Sequence, residues 1–218
     1  MPQIKGLTPE TANVFEEISR LDCIKGLYLC GGTSISLQIG HRLSEDLDFE
    51  LIGTRRERDK LNFSEIISEV TRAFPGSERE ILGSDHFQMF LPNRVKLSFF
   101  RPVNPVPQLT QGYKYNNIVT PTLQELLGMK LYTTTVRNVF RDYYDIYCLL
   151  QHNLSFTQAL KYALDFTRHT VHTKKLLSTI TTPQLFLKET DFDERMSPRY
   201  TIDSDQIAQR IREEIASL

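Results

Sequence analysis

The sequence predicts an α/β (α+β) fold, in which a mixed sheet with flanking helices is followed by a C-terminal helical bundle. In the first half of the chain, short apolar strand-like segments alternate with segments whose apolar residues recur at helical spacing. Residues 101–112, which contain three prolines and one glycine, are typical of a linker or an extended edge. Beyond them the apolar residues follow a helical period. We therefore expect an α/β domain over 1–112 and a helical domain over 113–218.

The first half opens with a helix that begins at Pro9, for which Thr8 is the expected N-cap. An apolar strand over 27–30 then ends at two glycines, after which Thr33 is expected to cap a short helix. The remaining elements of this half are predicted to be a helix over 62–73 and four strands, over 46–52, 78–83, 86–91 and 95–100.

The second half begins with a capping-box pattern from Thr122 to Glu125, which predicts a helix that continues to about residue 135. The other helices of this half are predicted over 138–151, 155–168, 172–179 and 204–217. The intervening stretch 181–203 is polar and irregular, and we interpret it as a loop.

Composition excludes several classes of protein. Hydrophobic residues make up 40% of the chain and charged residues 24%, which are ordinary values for a globular domain. A net charge of -1 requires neither a nucleic acid nor a membrane as partner, and no apolar run approaches the roughly 20 residues that span a bilayer. The N-terminus lacks the apolar stretch of a signal peptide, so a cytoplasmic location is expected. Three cysteines without CxxC spacing predict buried thiols rather than disulfides or a zinc site.

The first candidate site is the pair of glycines Gly31 and Gly32, followed by Thr33 at a strand-to-helix turn. Glycines let the backbone turn sharply and approach a ligand closely, and a helix N-terminus offers N–H groups and a positive dipole end to a phosphate. Such turns are common, so this segment on its own is equally consistent with a tight structural turn.

The second candidate site is Asp46-Leu47-Asp48. Residues two apart on a strand point to the same face, so both carboxylates project together. Two adjacent carboxylates repel each other unless a cation lies between them, and Mg²⁺ is a hard cation that binds carboxylates together with phosphate oxygens. The alternative interpretation is an exposed strand face whose acids pair with Arg42.

Taken together, these two segments resemble a known family. The stretch GGTSISLQIGHRLSEDLDFEL, residues 31–51, resembles the nucleotidyltransferase motif of the AbiEii/AbiGii toxin family, which belongs to the DNA polymerase β-like nucleotidyltransferase superfamily. The resemblance implies that Asp46 and Asp48 bind Mg²⁺ (or Mn²⁺). It also implies nucleotide binding by five residues of this stretch: Gly31, Gly32, Thr33, Arg42 and Ser44.

A second block of the same resemblance lies in the helical half, where the pattern KL…R…RDxxDLY matches Lys130, Arg137, Arg141 and Asp145. The resemblance implies that Lys130 and Arg141 bind nucleotide phosphates in a cleft that the helical domain closes, and that Asp145 or Asp142 assists them. The spacing also allows an i,i+4 pair between Arg141 and Asp145. A structural ion-pair network between two helices is the alternative.

The sequence departs from the superfamily at one point. A third carboxylate is expected on a later strand beside the Asp pair, but the strand over 95–100 carries Ser98 there. Glu50 shares a face with Asp48 but lies farther along the strand. A serine is a poor general base, so the activity itself is in question.

Three hypotheses follow. The first is transfer of a nucleoside monophosphate from an NTP to an acceptor hydroxyl, where the resemblance implies an RNA such as tRNA as acceptor and an antitoxin as protein partner. The second is a nucleotide- or RNA-binding module without catalysis. The third is an interaction protein that uses the helical half and the basic run 55–60, which comprises Arg55, Arg56, Arg58 and Lys60.

Overall fold

The computed structural model describes residues 4–51, 61–101, 109–167 and 170–218. The basic run 55–60 and most of the proline-rich stretch, residues 102–108, lie outside these ranges. The chain divides into two units, Met1–Thr122 and Leu123–Leu218. The division therefore falls later than residue 112, where the change of composition suggests it.

The first unit contains a five-stranded mixed sheet with the strand order β1-β2-β5-β4-β3. Only the central pair, β2 and β5, runs parallel, while the other neighbours are antiparallel. A separate two-stranded sheet pairs β6 with β7. The elements of this unit are α1 (Pro9–Ile18), β1 (Tyr28–Cys30), α2 (Gly31–Ile39), β2 (Leu47–Glu50), α3 (Phe63–Ala73), β3 (Glu78–Gly83), β4 (His86–Phe90), β5 (Lys96–Phe100), β6 (Gln111–Tyr115) and β7 (Ile118–Pro121).

One row of side chains across the sheet forms the centre of the core. In register, the row consists of Leu29, Phe49, Phe99, Phe87 and Ile81, one residue from each strand. Phe99 stacks on Phe49 at a ring-centroid distance of 5.3 Å and on Phe87 at 5.0 Å. Because successive strand residues point to opposite faces, this row fixes which residues reach the other face of the sheet. Only Ile81, on the edge strand β3, is exposed.

The hairpin β6–β7 has no counterpart in the sequence prediction, and it moves the division to Thr122. It belongs to the first unit because Gln38 of α2 donates side-chain hydrogen bonds to the Thr120 hydroxyl at 3.1 Å and to the Pro121 carbonyl at 3.0 Å. Its turn places Asn116 at a φ of 50°, a conformation that asparagine tolerates better than most residues. The hairpin has Asn-Asn at this turn instead of Asn-Gly, which weakens the sequence pattern.

The second unit is helical within its described residues. Its helices are α4 (Leu123–Thr133), α5 (Phe140–Leu149), α6 (Phe156–Phe166), α7 (Thr173–Ile180), α8 (Phe192–Met196) and α9 (Ser204–Ala216). The short helix α8 lies inside the stretch 181–203 that was interpreted as a loop. At the start of α9, which the sequence predicts over 204–217, Asp203 and Gln206 form a capping box. The mixed sheet followed by a helical bundle confirms the predicted fold class.

A buried ion cluster joins α4 to α5. The Lys130 ammonium lies 2.7 Å from a carboxylate oxygen of Asp142 and 2.7 Å from one of Asp145. Arg137, which lies between the helices, donates to both oxygens of Asp142 at 2.7 and 3.1 Å. Both carboxylates are fully buried. Lys130 is buried with the two carboxylates, whereas the Arg137 side chain is 48% exposed. The two positive charges balance the two negative ones, which lowers the cost of burying the carboxylates.

Two further predictions of the sequence concern thiols and membranes. Cys23, Cys30 and Cys148 are buried thiols, and the described residues contain no disulfide, as expected. No helix in the described ranges is both long and apolar enough to cross a membrane.

The contact between α4 and α6 depends on Gly128. A Cβ at this position would lie 2.7 Å from Cδ1 and 2.8 Å from Cβ of Tyr162, which is closer than side-chain atoms pack. We predict that Gly128→Ala lowers the free energy of unfolding by about 1–3 kcal/mol, because the two helices must move apart. Urea denaturation followed by circular dichroism measures this change in the free energy of unfolding. Gly83→Ala is the control, since its Cβ would meet no atom within 4 Å; an equal loss in both variants would contradict the packing argument.

The ion cluster makes stability depend on pH. Burial raises the pKa of Asp142, but the charges of Lys130 and Arg137 outweigh it and hold the pKa below its usual range. The stabilisation that the Asp142 ion pairs provide is therefore fully present above the pKa of Asp in the unfolded chain, about 3.9. It is lost as the pH falls through the lower pKa that Asp142 has in the folded protein. We predict that Asp142→Asn costs about 3 kcal/mol of unfolding free energy at pH 7, and less below about pH 4.

Urea denaturation between about pH 3 and pH 7 checks this difference. Asp193→Asn is the matched control, because Asp193 pairs with Lys188 at 2.6 Å on the exposed surface of the same unit. That variant should lose less than about 1 kcal/mol at every pH. A cost for Asp142→Asn that does not change with pH would contradict the ion-pair explanation.

Candidate functional site

The face of the main sheet opposite the core carries a polar row. In register it consists of Cys30, Asp48, Ser98, Gln88 and Glu80. These residues are offset by one position from the core row, so their side chains point away from it. Asp48 lies on the central parallel pair, directly opposite Ser98 and beside the end of β1. The row therefore brings one predicted metal ligand to the point where α2 begins.

Gly31 gives the Asp48 carboxylate room at the start of α2. Gly31 adopts a φ of +70°, and a Cβ placed on it would lie 3.0 Å from Oδ2 of Asp48. The side chain of Cys30, the N-cap residue, makes no capping hydrogen bond. The first backbone N–H groups of any helix lack intrahelical partners. The geometry therefore sets a carboxylate beside a helix N-terminus, the two groups that a metal–triphosphate complex needs.

The absence of a side chain at Gly32 likewise leaves space for the guanidinium of Arg42. A Cβ at Gly32 would lie 2.1 Å from Nη2 of Arg42, so the guanidinium packs directly against the first turn of α2. Arg42 is only 5% exposed, and its Nη1 donates to the Leu43 carbonyl at 2.8 Å. The structure therefore brings Arg42, Gly31, Gly32 and Asp48 to one end of α2.

Thr33 fixes the loop that precedes β2. The helix begins at Gly31, so Thr33 lies inside its first turn and is not its N-cap as expected. Thr33 is buried, and its hydroxyl contacts the Ser44 hydroxyl at 2.8 Å and donates to the Asp46 carbonyl. The Ser44 N–H in turn donates to the Gly6 carbonyl at 3.0 Å. Thr33 and Ser44 thus position Asp46, and their contact with a nucleotide stays a prediction.

Asp46 precedes the strand rather than belonging to it. The predicted strand 46–52 is observed as β2 over Leu47–Glu50. The Asp46 carboxylate forms an ion pair with Lys96 of β5, with 2.8 Å between Oδ2 and Nζ, and both side chains are about one-third exposed. Sequence reasoning missed Lys96. The only pattern that points to it is its position two residues before Ser98 on the same face of β5.

Glu50 lies on the same face of β2 as Asp48, two residues farther along, in register with Tyr28 and Phe100. It is buried, and burial raises its pKa to about 8, while a hydrogen bond with Cys30 opposes the shift and the charge of Asp48 adds to it. A carboxyl group of this kind is largely protonated at neutral pH.

The donor set limits how a metal can be held. No group of three or more His, Cys, Asp or Glu side chains in the described ranges is arranged to hold a metal ion. Asp48 provides a carboxylate at the N-terminus of α2, and Asp46 provides another directly before β2. Mg²⁺ in proteins is commonly bound by one or two carboxylates, with substrate phosphates and water completing its shell. The residues therefore fit a cation held jointly with a nucleotide, and do not fit a cage built from protein alone.

The second predicted block is found in the helical unit. Lys130, Arg137, Asp142 and Asp145 come together in the buried cluster, although Arg137 lies beyond the end of α4. Arg141 is outside this cluster. It pairs with Glu189, with 3.7 Å between Nε and Oε1, rather than with Asp145, and it keeps 29% of its side chain exposed. The nucleotide-binding roles of Lys130, Arg141 and Asp145 stay predictions.

Solved structures share this fold at low sequence identity. JHP933 from Helicobacter pylori matches with a TM-score of 0.54 and 17% identity, over 97% of this chain and 92% of that one. MenT4, a nucleotidyltransferase toxin from Mycobacterium tuberculosis, matches with a TM-score of 0.53 and 15% identity, over 95% of this chain and 83% of that one.

Comparison at the level of sequence points the same way. An uncharacterised protein of Aquifex aeolicus is 25% identical over 148 residues, which cover 68% of this chain and 69% of the relative. The family model described as nucleotidyl transferase AbiEii toxin, type IV TA system, matches residues 14–214, which include both units and every residue of the two predicted blocks. The chain therefore belongs to the AbiEii family of nucleotidyltransferase toxins.

Proposed function

We propose that this protein transfers a nucleoside monophosphate from an NTP to an acceptor hydroxyl, in the cytoplasm, with Mg²⁺ or Mn²⁺ as cofactor. One observation supports this most strongly: at the N-terminus of α2, Oδ2 of Asp48 lies 3.0 Å from the position that a Cβ of Gly31 would occupy, and Asp46 lies two residues before Asp48 in the chain. Carboxylates for a cation and N–H groups for phosphate are thus available at the same place.

The reaction needs little covalent chemistry from the protein. The acceptor oxygen forms a bond to the α-phosphorus while the bond from that phosphorus to the bridging oxygen breaks, and pyrophosphate leaves. The acceptor proton passes to water, since Ser98 is a poor base. The bound cation supplies neutralisation of phosphate charge. The first turn of α2 binds phosphate oxygens through its N–H groups, and Arg42 adds a fixed positive charge beside Gly32.

In this proposal the helical unit contributes one positively charged side chain, that of Arg141. Arg141 is partly exposed and only loosely paired with Glu189, so its guanidinium is available to a phosphate. Lys130 is 5% exposed and contacts two carboxylates at 2.7 Å, which favours positioning of α5 over direct contact. In that arrangement Asp145 acts with Lys130, and both support Arg141 from within the bundle.

The acceptor and the protein partner follow from the family rather than from the site. Toxins of toxin–antitoxin systems have a cognate antitoxin, and we propose one here. We propose RNA as acceptor class, as the family resemblance implies. A second function, nucleotide or RNA binding without transfer, is favoured by one observation, the position of Ser98 directly opposite Asp48 where a third carboxylate is expected.

The Asp pair provides the first test. We predict that Asp46→Asn and Asp48→Asn each lower transfer of label from [α-³²P]NTPs to total RNA by roughly 100-fold or more, because each removes a charge that the cation needs. The control is Asp85→Asn, which removes an acid from the same unit that is paired with Arg101; it should keep full transfer.

Calorimetry with a non-hydrolysable NTP analogue separates the two functions. Binding by the wild-type protein without label transfer to any acceptor would favour the second function. Transfer that persists in the double variant Asp46→Asn with Asp48→Asn would reject the site itself.

The glycine beside Arg42 provides a second test. We predict that Gly32→Ala weakens binding of the NTP analogue about tenfold or more, since the added methyl group displaces the Arg42 guanidinium from the first turn of α2. Arg42→Gln, which removes the guanidinium but leaves the backbone turn intact, should lose a comparable amount of affinity. Unchanged affinity in Gly32→Ala would contradict a phosphate site at this turn.

A further inference from the structure

We propose that the nucleotidyl-transfer site holds a single divalent cation, and that Lys96 supplies the positive charge that a second cation provides in two-metal sites. This inference rests on the proposed function. It concerns two residues of β5 that face Asp46 and Asp48, namely Lys96 and Ser98.

Lys96 already occupies one side of the Asp46 carboxylate. Its Nζ lies 2.8 Å from Oδ2 of Asp46, and the two side chains are 29% and 33% exposed. A partly buried pair is screened less by salt than a surface pair. A second cation that shared Asp46 would have to approach within a few ångströms of this ammonium, which repels it.

Ser98 stands at the position where a second cation would need a carboxylate ligand. Paired metals in phosphoryl transfer lie about 3.5–4 Å apart and share carboxylates from both sides. The residue in register with Asp48 on β5 is Ser98, which is buried and neutral. Glu50 is in register with Phe100 instead. Within the described ranges no third carboxylate joins the Asp pair.

The charge of Lys96 favours the same stoichiometry. Its ammonium, 2.8 Å from Oδ2 of Asp46, already offsets part of the carboxylate charge that a second cation would need. Lys96 then has two effects: it holds the Asp46 carboxylate in place, and it keeps a fixed positive charge near the reacting phosphate.

Electron paramagnetic resonance of Mn²⁺ counts the bound ions. The wild-type protein, saturated with a non-hydrolysable NTP analogue, is expected to bind one Mn²⁺ per chain. The double variant Lys96→Gln with Ser98→Asp restores a third carboxylate and removes the ammonium, so it is expected to bind two. Lys114→Gln is the control, because it removes an exposed lysine from β6 of the same unit, and it should still bind one.

A single substitution tests Lys96 without changing a buried residue. Lys96→Gln is expected to tighten Mn²⁺ binding several-fold and to lower the transfer rate about tenfold or more, while Lys96→Arg restores both values toward wild type. If Lys96 had a purely structural role, its replacement by Gln would not tighten the binding of Mn²⁺.

The outcomes separate this inference from the proposed function. Two Mn²⁺ ions in the wild-type protein, or a Lys96→Gln variant with unchanged Mn²⁺ affinity and transfer rate, would overturn the inference alone. No binding of Mn²⁺ by the wild-type protein in the presence of the NTP analogue would overturn the proposed function, and this inference with it.

Discussion

The candidate site depends on the space that Gly31, which has no side chain, leaves for the Asp48 carboxylate. Any side chain at Gly31 would meet Oδ2 of Asp48 at 3.0 Å, and the positive φ of this residue adds a second reason for glycine. The sheet imposes this closeness, because Cys30 and Asp48 are in register and α2 begins at the next residue. The position of the carboxylate is therefore set by backbone geometry and not by a flexible side chain.

The aromatic core holds that geometry in place. Phe49 and Phe99 stack across the parallel strands, and their neighbours Asp48 and Ser98 must then point to the other face. A shift of one residue in register would bury the aspartate and expose the phenylalanines, which the core cannot tolerate. The hydrophobic core thus specifies the orientation of the polar row, and the buried Thr33 extends this control to the loop before Asp46.

The sequence predicted the fold class and the two blocks well, because both depend on local periodicity and on the spacing of a few residue types. It did not predict what depends on contacts between distant segments. Lys96 is fifty residues from Asp46 in the chain, and only the strand order brings them together. The hairpin β6–β7 was missed because its turn lacks the usual glycine. The spacing allowed a pair between Arg141 and Asp145 within one helix, but the partner of Arg141 is Glu189. The basic run 55–60 lies outside the described residues, so the hypothesis built on it stays a prediction.

Charge balance distinguishes the two predicted blocks more clearly than their motifs do. In the helical unit, Lys130 and Arg137 face Asp142 and Asp145, so the cluster is neutral and fully paired before any ligand binds. Such a cluster stabilises helix contacts, but it has no charge left for a cation or a phosphate. In the first unit, the Asp46 carboxylate pairs with Lys96, and both side chains stay about one-third exposed. Because a carboxylate that solvent can reach is also accessible to a cation, we propose that the chemistry takes place in the first unit and that the second has a supporting role.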